Sequence, residues 1–255
     1  MNATKIVFSP TGGTEKVADA LAGELAGTDG VVTRVDLRDS HAGAEGVSLD
    51  ANALAVIAAP CYAGRVPAVA MERLGTIAGN GAKAVVAIAY GNRAYDDALL
   101  ELKDGAEAAG FVVVAAVAAI AEHSIARQFA AGEPGEGQVR TLTLFARQIA
   151  GKMQRAVGGD VAVPGNRPYR KAGSVPLVPK ASNVCSSCGA CTAGCPVGAI
   201  DPKSLAVSKE RCVACMRCVA VCPQQARGVS KLMLKATAMK LEKECSKHRE
   251  SELYL

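Results

Sequence analysis

The sequence predicts two units in series: a doubly wound α/β domain on a five-stranded parallel sheet, then a small cysteine-rich α+β domain. Three observations carry this reading. Apolar, β-rich runs alternate with amphipathic helical segments across residues 1–157. Residues 158–182 hold four Pro and four Gly, the composition of a linker. Eight of the ten cysteines fall between Cys185 and Cys222.

The elements follow in order. Thr4 to Phe8 is a short apolar strand run, and Ser9-Pro10-Thr11-Gly12-Gly13-Thr14 follows at once. From Glu15 to Ala26 the apolar residues Val17, Ala18, Leu21, Ala22 and Leu25 recur at helical spacing. Val31 to Leu37 and Leu54 to Ala59 are the second and third strands, a helix follows Pro67, and Ala84 to Ala89 is the fourth. Tyr95 to Ala109 reads as helix, Phe111 to Val117 as a fifth, continuously apolar strand. Val139, Leu142, Phe145, Ala146, Ile149 and Met153 form the stripe of a further helix. Strands apolar throughout, joined by helical crossovers, imply a parallel sheet covered on both faces.

Composition narrows the function. Half the chain is hydrophobic but only 4% is aromatic, with no Trp, so the core is aliphatic. The first residues lack the charged and apolar regions of a secretory signal. The longest apolar run, Phe111 to Ala121, falls far short of the roughly 20 residues of a membrane helix. These features predict a cytoplasmic protein with no membrane contact, in a compartment that keeps thiols reduced. Residues 1–160 carry 14 Lys+Arg and 18 Asp+Glu; residues 161–255 carry 15 and 6. A basic second half invites a nucleic-acid reading. Metal held by the clustered thiolates would offset part of that charge, and no nucleic-acid partner is expected.

In a doubly wound sheet, ligands sit beyond the carboxyl ends of the strands. Three loops lie there. The first, Ser9 to Thr14, has neither the Lys of a Walker A loop nor a G-x-G-x-x-G, so neither ATP nor a dinucleotide is favoured. Its hydroxyls and backbone N–H groups suit a phosphomonoester at a helix N-terminus; the plainer reading is a helix cap at Thr11 or Thr14. The second, Pro60-Cys61-Tyr62-Ala63-Gly64-Arg65-Val66-Pro67, and the third, Tyr90-Gly91-Asn92-Arg93-Ala94-Tyr95-Asp96-Asp97, each bring an aromatic ring to the same edge. Two such rings can sandwich a flat heterocycle, or can be loop anchors. Cys61 reads most simply as a small buried residue. His123, after the fifth strand, reads as an ordinary loop His or as a cap on the pocket.

Together these loops resemble those of a flavodoxin: Ser9-Pro10-Thr11-Gly12-Gly13-Thr14 matches the family's hydroxyl-x-Thr-Gly-x-Thr phosphate loop. The resemblance covers residues 1–157 and implies a flavodoxin-like fold holding FMN. It assigns the phosphate to Ser9, Thr11, Gly12, Gly13 and Thr14. It assigns the ring to Pro60, Cys61, Tyr62, Ala63 and Gly64 and to Tyr90, Gly91, Asn92, Tyr95 and Asp97, with Tyr62 and Tyr95 stacking.

In the second half, Cys185-x-x-Cys188-x-x-Cys191-x-x-x-Cys195-Pro196 recurs, 27 residues on, as Cys212-x-x-Cys215-x-x-Cys218-x-x-x-Cys222-Pro223. Three Cys at intervals of three wrap three corners of a cubane and leave one iron for another ligand. Zinc fits two three-plus-one runs poorly. Residues 184–228 resemble a two-cluster bacterial-type ferredoxin, in which the fourth Cys of each run serves the other cluster. The resemblance implies one [4Fe–4S] cluster on Cys185, Cys188, Cys191 and Cys222, and a second on Cys212, Cys215, Cys218 and Cys195.

The domains expected are therefore flavodoxin-like (1–157), linker (158–182), ferredoxin-like (183–228) and a helical extension (229–255). The whole resembles the flavodoxin–ferredoxin fusions of anaerobic microbes. It implies an electron carrier that relays between FMN and two clusters for a redox partner protein, as monomer or homodimer. The alternative is an FMN-dependent reductase fed by the clusters, with Arg65, Arg93 and His123 binding an anionic substrate. A redox sensor has no supporting feature beyond the clusters.

Overall fold

The computed structural model describes residues 1–39, 46–155, 160–173, 177–247 and 249–255. The expected boundary at 157/158 lies outside them.

The first unit runs β1 (Ala3–Val7), α1 (Gly13–Ala26), β2 (Val32–Asp36), β3 (Leu54–Pro60), α2 (Ala68–Leu74), β4 (Lys83–Tyr90), α3 (Ala98–Ala108), β5 (Val112–Ile120) and α4 (Glu136–Gln154). Its strands pair in parallel in the order β2-β1-β3-β4-β5. That is the flavodoxin-type order 2-1-3-4-5. The two-residue alternation of β4 explains the layers. Val86 and Ile88 face the core that also takes Leu74, Leu99 and Leu102, whereas Val85 and Ala87 face the one that takes Leu21, Leu142 and Ile149. Helices α2 and α3 cover one face and α1 and α4 the other.

One expectation is corrected. Among the described residues the sheet has six strands, because β8 (Glu252–Tyr254) pairs antiparallel with β5, Ala116 opposite Tyr254 and Ala118 opposite Glu252. An apolar β5 left at the edge would expose unpaired backbone groups, and Glu252–Tyr254 cover part of them. Helix α3 also starts later than expected. Asn92 and Asp96 adopt positive φ, 63° and 44°, so residues 92–97 form turns before Ala98.

Residues 160–173 contain no helix or strand but lie packed on the first unit. Val161 is buried in its core. Asp97 accepts from the backbone N–H of Asn166 at 2.9 Å and of Arg170 at 2.6 Å. Lys103 pairs with Asp160 at 2.7 Å, and the Arg65 guanidinium lies 4.9 Å from the Tyr169 ring centroid. The stretch is a strap.

The second unit comprises β6 (Lys180–Ala181), α5 (Ala190–Ala193), α6 (Arg217–Ala220) and β7 (Arg227–Gly228), with β6 and β7 antiparallel. The 27-residue repeat is visible in the backbone. Gly189 and Met216 both take left-handed conformations before four-residue helices. Helix α7 (Lys231–Cys245) then runs back over the first unit to β8. Among the described residues, no helix is long and apolar enough to cross a membrane.

Candidate cofactor crevice and cysteine cages

Strands β1, β3, β4 and β5 end side by side, and their loops open onto a crevice of about 290 Å³. Its walls are Pro10, Thr11, Gly13 and Thr14; Pro60 to Ala63; Ala89 to Gly91 with Arg93; and Ala121 to Ile125.

The first loop bends at Gly12, whose φ of 97° is left-handed and whose missing Cβ would meet nothing within 4 Å. The bend faces open space. Ser9 is the loop's capping residue: its hydroxyl accepts from the backbone N–H of Glu15 at 2.9 Å. The Thr11 and Thr14 hydroxyls make no such cap, so the plainer sequence reading, a helix cap at Thr11 or Thr14, is corrected: the side chain that caps is Ser9. Lys16 N–H bonds Gly12 O at 3.1 Å. Among the described residues, no protein acceptor meets the N–H of Gly13 or Thr14. A left-handed glycine, two free N–H groups at the start of a 14-residue helix and the hydroxyl of Thr14 form a cradle that fits a phosphate.

The second loop is a tight turn. Tyr62 and Arg65 exchange backbone hydrogen bonds of 2.9 and 3.2 Å around Ala63 and Gly64, both at positive φ. Gly64 is required there, because a Cβ would lie 2.2 Å from the Asp96 carboxylate. Burial, and after it the neighbouring thiols of Cys215 and Cys61, push the Tyr62 phenol well above its ordinary pKa. Tyr62 therefore stands between the crevice and the second unit. Burial pushes the Cys61 thiol up to about 12, which leaves it protonated and unreactive.

The third loop differs from expectation in three residues. Tyr95 does not line the crevice. Its hydroxyl donates to Glu252 at 2.5 Å, lies 2.7 Å from the Tyr254 hydroxyl, and its ring meets Tyr90 edge-on with centroids 5.1 Å apart. Asn92, buried, donates to the carbonyls of Cys245 at 2.6 Å and Lys247 at 2.9 Å, and accepts from Arg249 N–H at 3.1 Å. Asp97 holds the strap. All three secure segments that are distant in sequence, which the loop alone does not reveal. Gly91 lines the crevice, and a Cβ there would lie 2.7 Å from His123.

The sequence reading missed the roof. Val213 and Ala214, together with Thr237 and Leu241 of α7 and Arg170 of the strap, complete the crevice lining. Leu234, Ala238 and Cys245 continue the inward stripe of α7 at helical spacing, a signal that was present but whose target was not. Ala214 and Met216 pack on Leu177 and Ile125, so one small apolar cluster joins the two units.

In the second unit, Cys185, Cys188, Cys191 and Cys222 line one cavity. Cys195, Cys212, Cys215 and Cys218 line another. The crossing arises because the Cys just beyond each short helix, Cys195 after α5 and Cys222 after α6, lines the other cavity. Backbone N–H groups point at both crossing sulfurs, Ala199 to Cys195 at 3.3 Å and Ala226 to Cys222 at 3.2 Å. Four thiols with N–H···S support are the donor set of an iron–sulfur cubane. Val213 and Ala214 lie between Cys212 and Cys215, so the loop that lines the second cage also lines the crevice.

Residues 184–227 match the family model of the 4Fe–4S dicluster domain. The second unit is accordingly an iron–sulfur domain, and the chain a redox protein. No curated protein matches the chain. Among solved structures, a flavodoxin of Streptococcus pneumoniae TIGR4 is similar at 19% identity and a TM-score of 0.40, over 60% of this chain and 99% of its own. A flavodoxin from the domain Archaea is similar at 12% and 0.43, over 60% and 99%. The rubredoxin oxygen:oxidoreductase of Desulfovibrio gigas is similar at 14% and 0.43, over 62% of this chain and 37% of its own. The fold assignment rests on the strand order of the chain itself.

Proposed function

We propose that this chain, a flavodoxin-like sheet carrying a dicluster-type iron–sulfur domain, is an electron carrier with FMN in the crevice and one [4Fe–4S] cluster in each cage. One observation carries the reading: Val213 and Ala214 line the crevice while their neighbours Cys212 and Cys215 line a cage. Bound flavin supplies two-electron capacity and the clusters supply one-electron exchange.

The residues divide the work. Gly12, Gly13, Thr14 and Thr11 receive the phosphate on N–H and hydroxyl donors, with the α1 N-terminus favouring its charge. Tyr62, Ala63 and Gly91 border the ring, and Val213, Ala214 and Leu241 cover it with apolar surface that excludes water. Cys185, Cys188, Cys191 and Cys222 hold the first cluster; Cys195, Cys212, Cys215 and Cys218 hold the second. Covalent linkage makes the exchange between them intramolecular. The partner is a redox protein, and a reducing compartment such as the cytoplasm suits eight thiolates.

The carrier is favoured over a reductase of small substrates. The crevice, at about 290 Å³, lies at the small end for ligand sites. The cations that a substrate would recruit are engaged: Arg65 forks onto Glu101 with two bonds of 2.7 Å, and Arg93 pairs with Asp96.

The test is anaerobic purification with iron, sulfide and flavin assayed, then dithionite titration followed by absorbance. Eight iron, eight sulfide and one FMN per chain, bleaching together, support the carrier. Zinc without sulfide overturns the clusters, and absence of flavin overturns the crevice. Rapid reoxidation by small organic acceptors at the flavin favours the reductase.

A further inference from the structure

His123 stands at the crevice wall on the loop after β5, and its surroundings fix its chemistry. The backbone N–H groups of Ile125 and Ala126 both donate to its Nδ1, at 3.2 and 3.1 Å. An N–H group can only donate, so the ring atom that faces them carries a lone pair and no proton. The proton of the neutral ring is therefore on Nε2. Charging the ring would place a second proton on Nδ1 and break both backbone bonds, leaving two N–H groups without an acceptor.

The rest of the ring is equally constrained. Gly91 lies against its Cβ and Cδ2, so closely that no side chain fits between them. Burial first, and after it the charge of Arg93, oppose a positive imidazole and outweigh the contrary pull of the residue's own backbone, so the pKa lies below the usual histidine value. Among the described residues, no hydrogen-bond partner meets Nε2. Of its neighbours on the crevice wall, Ala121 and Ile125 are apolar, and the Glu122 carboxylate is taken up by Arg127 and by the backbone N–H of Gly132.

We propose that His123 is the crevice's fixed hydrogen-bond donor: a neutral imidazole locked as the Nε2–H tautomer, which selects ligands presenting a lone-pair acceptor, the carbonyl oxygens and imine nitrogens of an oxidised flavin ring. This rests on the crevice being the FMN site and adds a positioning residue to it. The two ring nitrogens have separate duties, Nδ1 shaping the 124–126 turn and Nε2 addressing the ligand. A neutral donor also contributes no fixed positive charge beside the ring.

The test uses the full, cluster-loaded chain freed of flavin. In a ¹⁵N-histidine spectrum at pH 7, His123 is expected to show an imine-type Nδ1 and a pyrrole-type Nε2. A Nδ1–H or a doubly protonated ring overturns the proposal without any variant. FMN titration then compares the wild type with His123→Asn, whose side-chain oxygen replaces Nδ1 as the acceptor for the turn but whose reach ends short of Nε2. Loss of one hydrogen bond is expected to weaken FMN about three- to tenfold while the melting temperature stays near wild type. Equal affinity of the two chains overturns the proposal. Failure of the wild type itself to take FMN overturns the flavin reading and this inference with it, and is a different result.

Discussion

Arg217, in the second unit, donates to the carbonyl of Pro10, in the first loop of the sheet domain, across 3.1 Å. The residue precedes the cage ligand Cys218 and lines that cage. It thereby fastens the first loop of the sheet to the second cysteine cage. Replacing Arg217 with Met is expected to free the Pro10 loop and to raise the FMN dissociation constant about tenfold, as for loss of a charged hydrogen bond. Titration of the flavin-free chain reads this directly, and Arg217→Lys should recover part of it.

The crossed cages predict which cluster each fourth cysteine serves. Cys222→Ser should perturb the cluster held by Cys185, Cys188 and Cys191 and spare the other, whereas Cys195→Ser should do the reverse. Low-temperature EPR of the reduced chains separates the two signals. If both variants lose the same cluster, the crossing is wrong.

Because one loop serves cage and crevice, cluster loss and flavin release should be coupled. Cys215→Ala, which abolishes the second cage, should weaken FMN binding several-fold. Cys188→Ala, at the exposed end of the first cage, should leave FMN nearly unaffected. Linkage runs both ways, so saturating FMN should slow iron loss to a chelator from the second cage of the wild type. Identical flavin affinity in both cysteine variants would break the link.

Asn92 is a latch. Its side chain meets three backbone groups of residues 245–249, and its φ of 63° suits Asn or Gly. Asn92→Gly keeps the backbone conformation and removes only those bonds. A cost of about 3 kcal/mol is expected in denaturant unfolding. Amide exchange of Glu252 to Tyr254 should rise by at least the same factor if β8 depends on the latch.

Asp36, at the end of β2, links stability to acid. Burial raises its pKa, but the side-chain and backbone hydrogen bonds of Arg38, with Arg34 beside them, overrule that and hold the carboxyl at about 2. A depressed carboxyl stabilises the fold above its unfolded pKa near 4 and loses that contribution as pH falls toward 2. Asp36→Asn should therefore destabilise the chain by roughly 2 kcal/mol at pH 7 and flatten the pH dependence between 4 and 2. A parallel, undiminished acid transition in the variant would assign it to other groups.

How much of this was readable beforehand follows from the range of each interaction. The cage ligands were legible because a cubane dictates spacing within a few residues, and the structure groups the eight cysteines accordingly. Strands β3, β4 and β5 were legible because burial on both faces writes a nearly unbroken apolar run, whereas β2, at the sheet edge with Arg34 and Asp36, carries only a partial one. Strand β8 was not: Glu252 to Tyr254 is three residues long and owes its form to β5, more than 130 residues earlier. Tyr95 looked like a stacking ring because its real partners, Glu252 and Tyr254, are 157 and 159 residues away. Val213 and Ala214 have no local signal at all, since their role exists only once the two units are docked.

The return of the chain to β8 has a further consequence. The iron–sulfur domain is not a pendant at one end but an insertion, anchored upstream by the strap and downstream by the last strand of the sheet it serves. A single backbone cut within residues 160–173 would leave it fastened through β8, and a cut after α7 would leave it fastened through the strap. The sheet is also incomplete until Glu252–Tyr254 have been translated. A growing chain thus makes its two cysteine cages before it can close the edge of its first sheet.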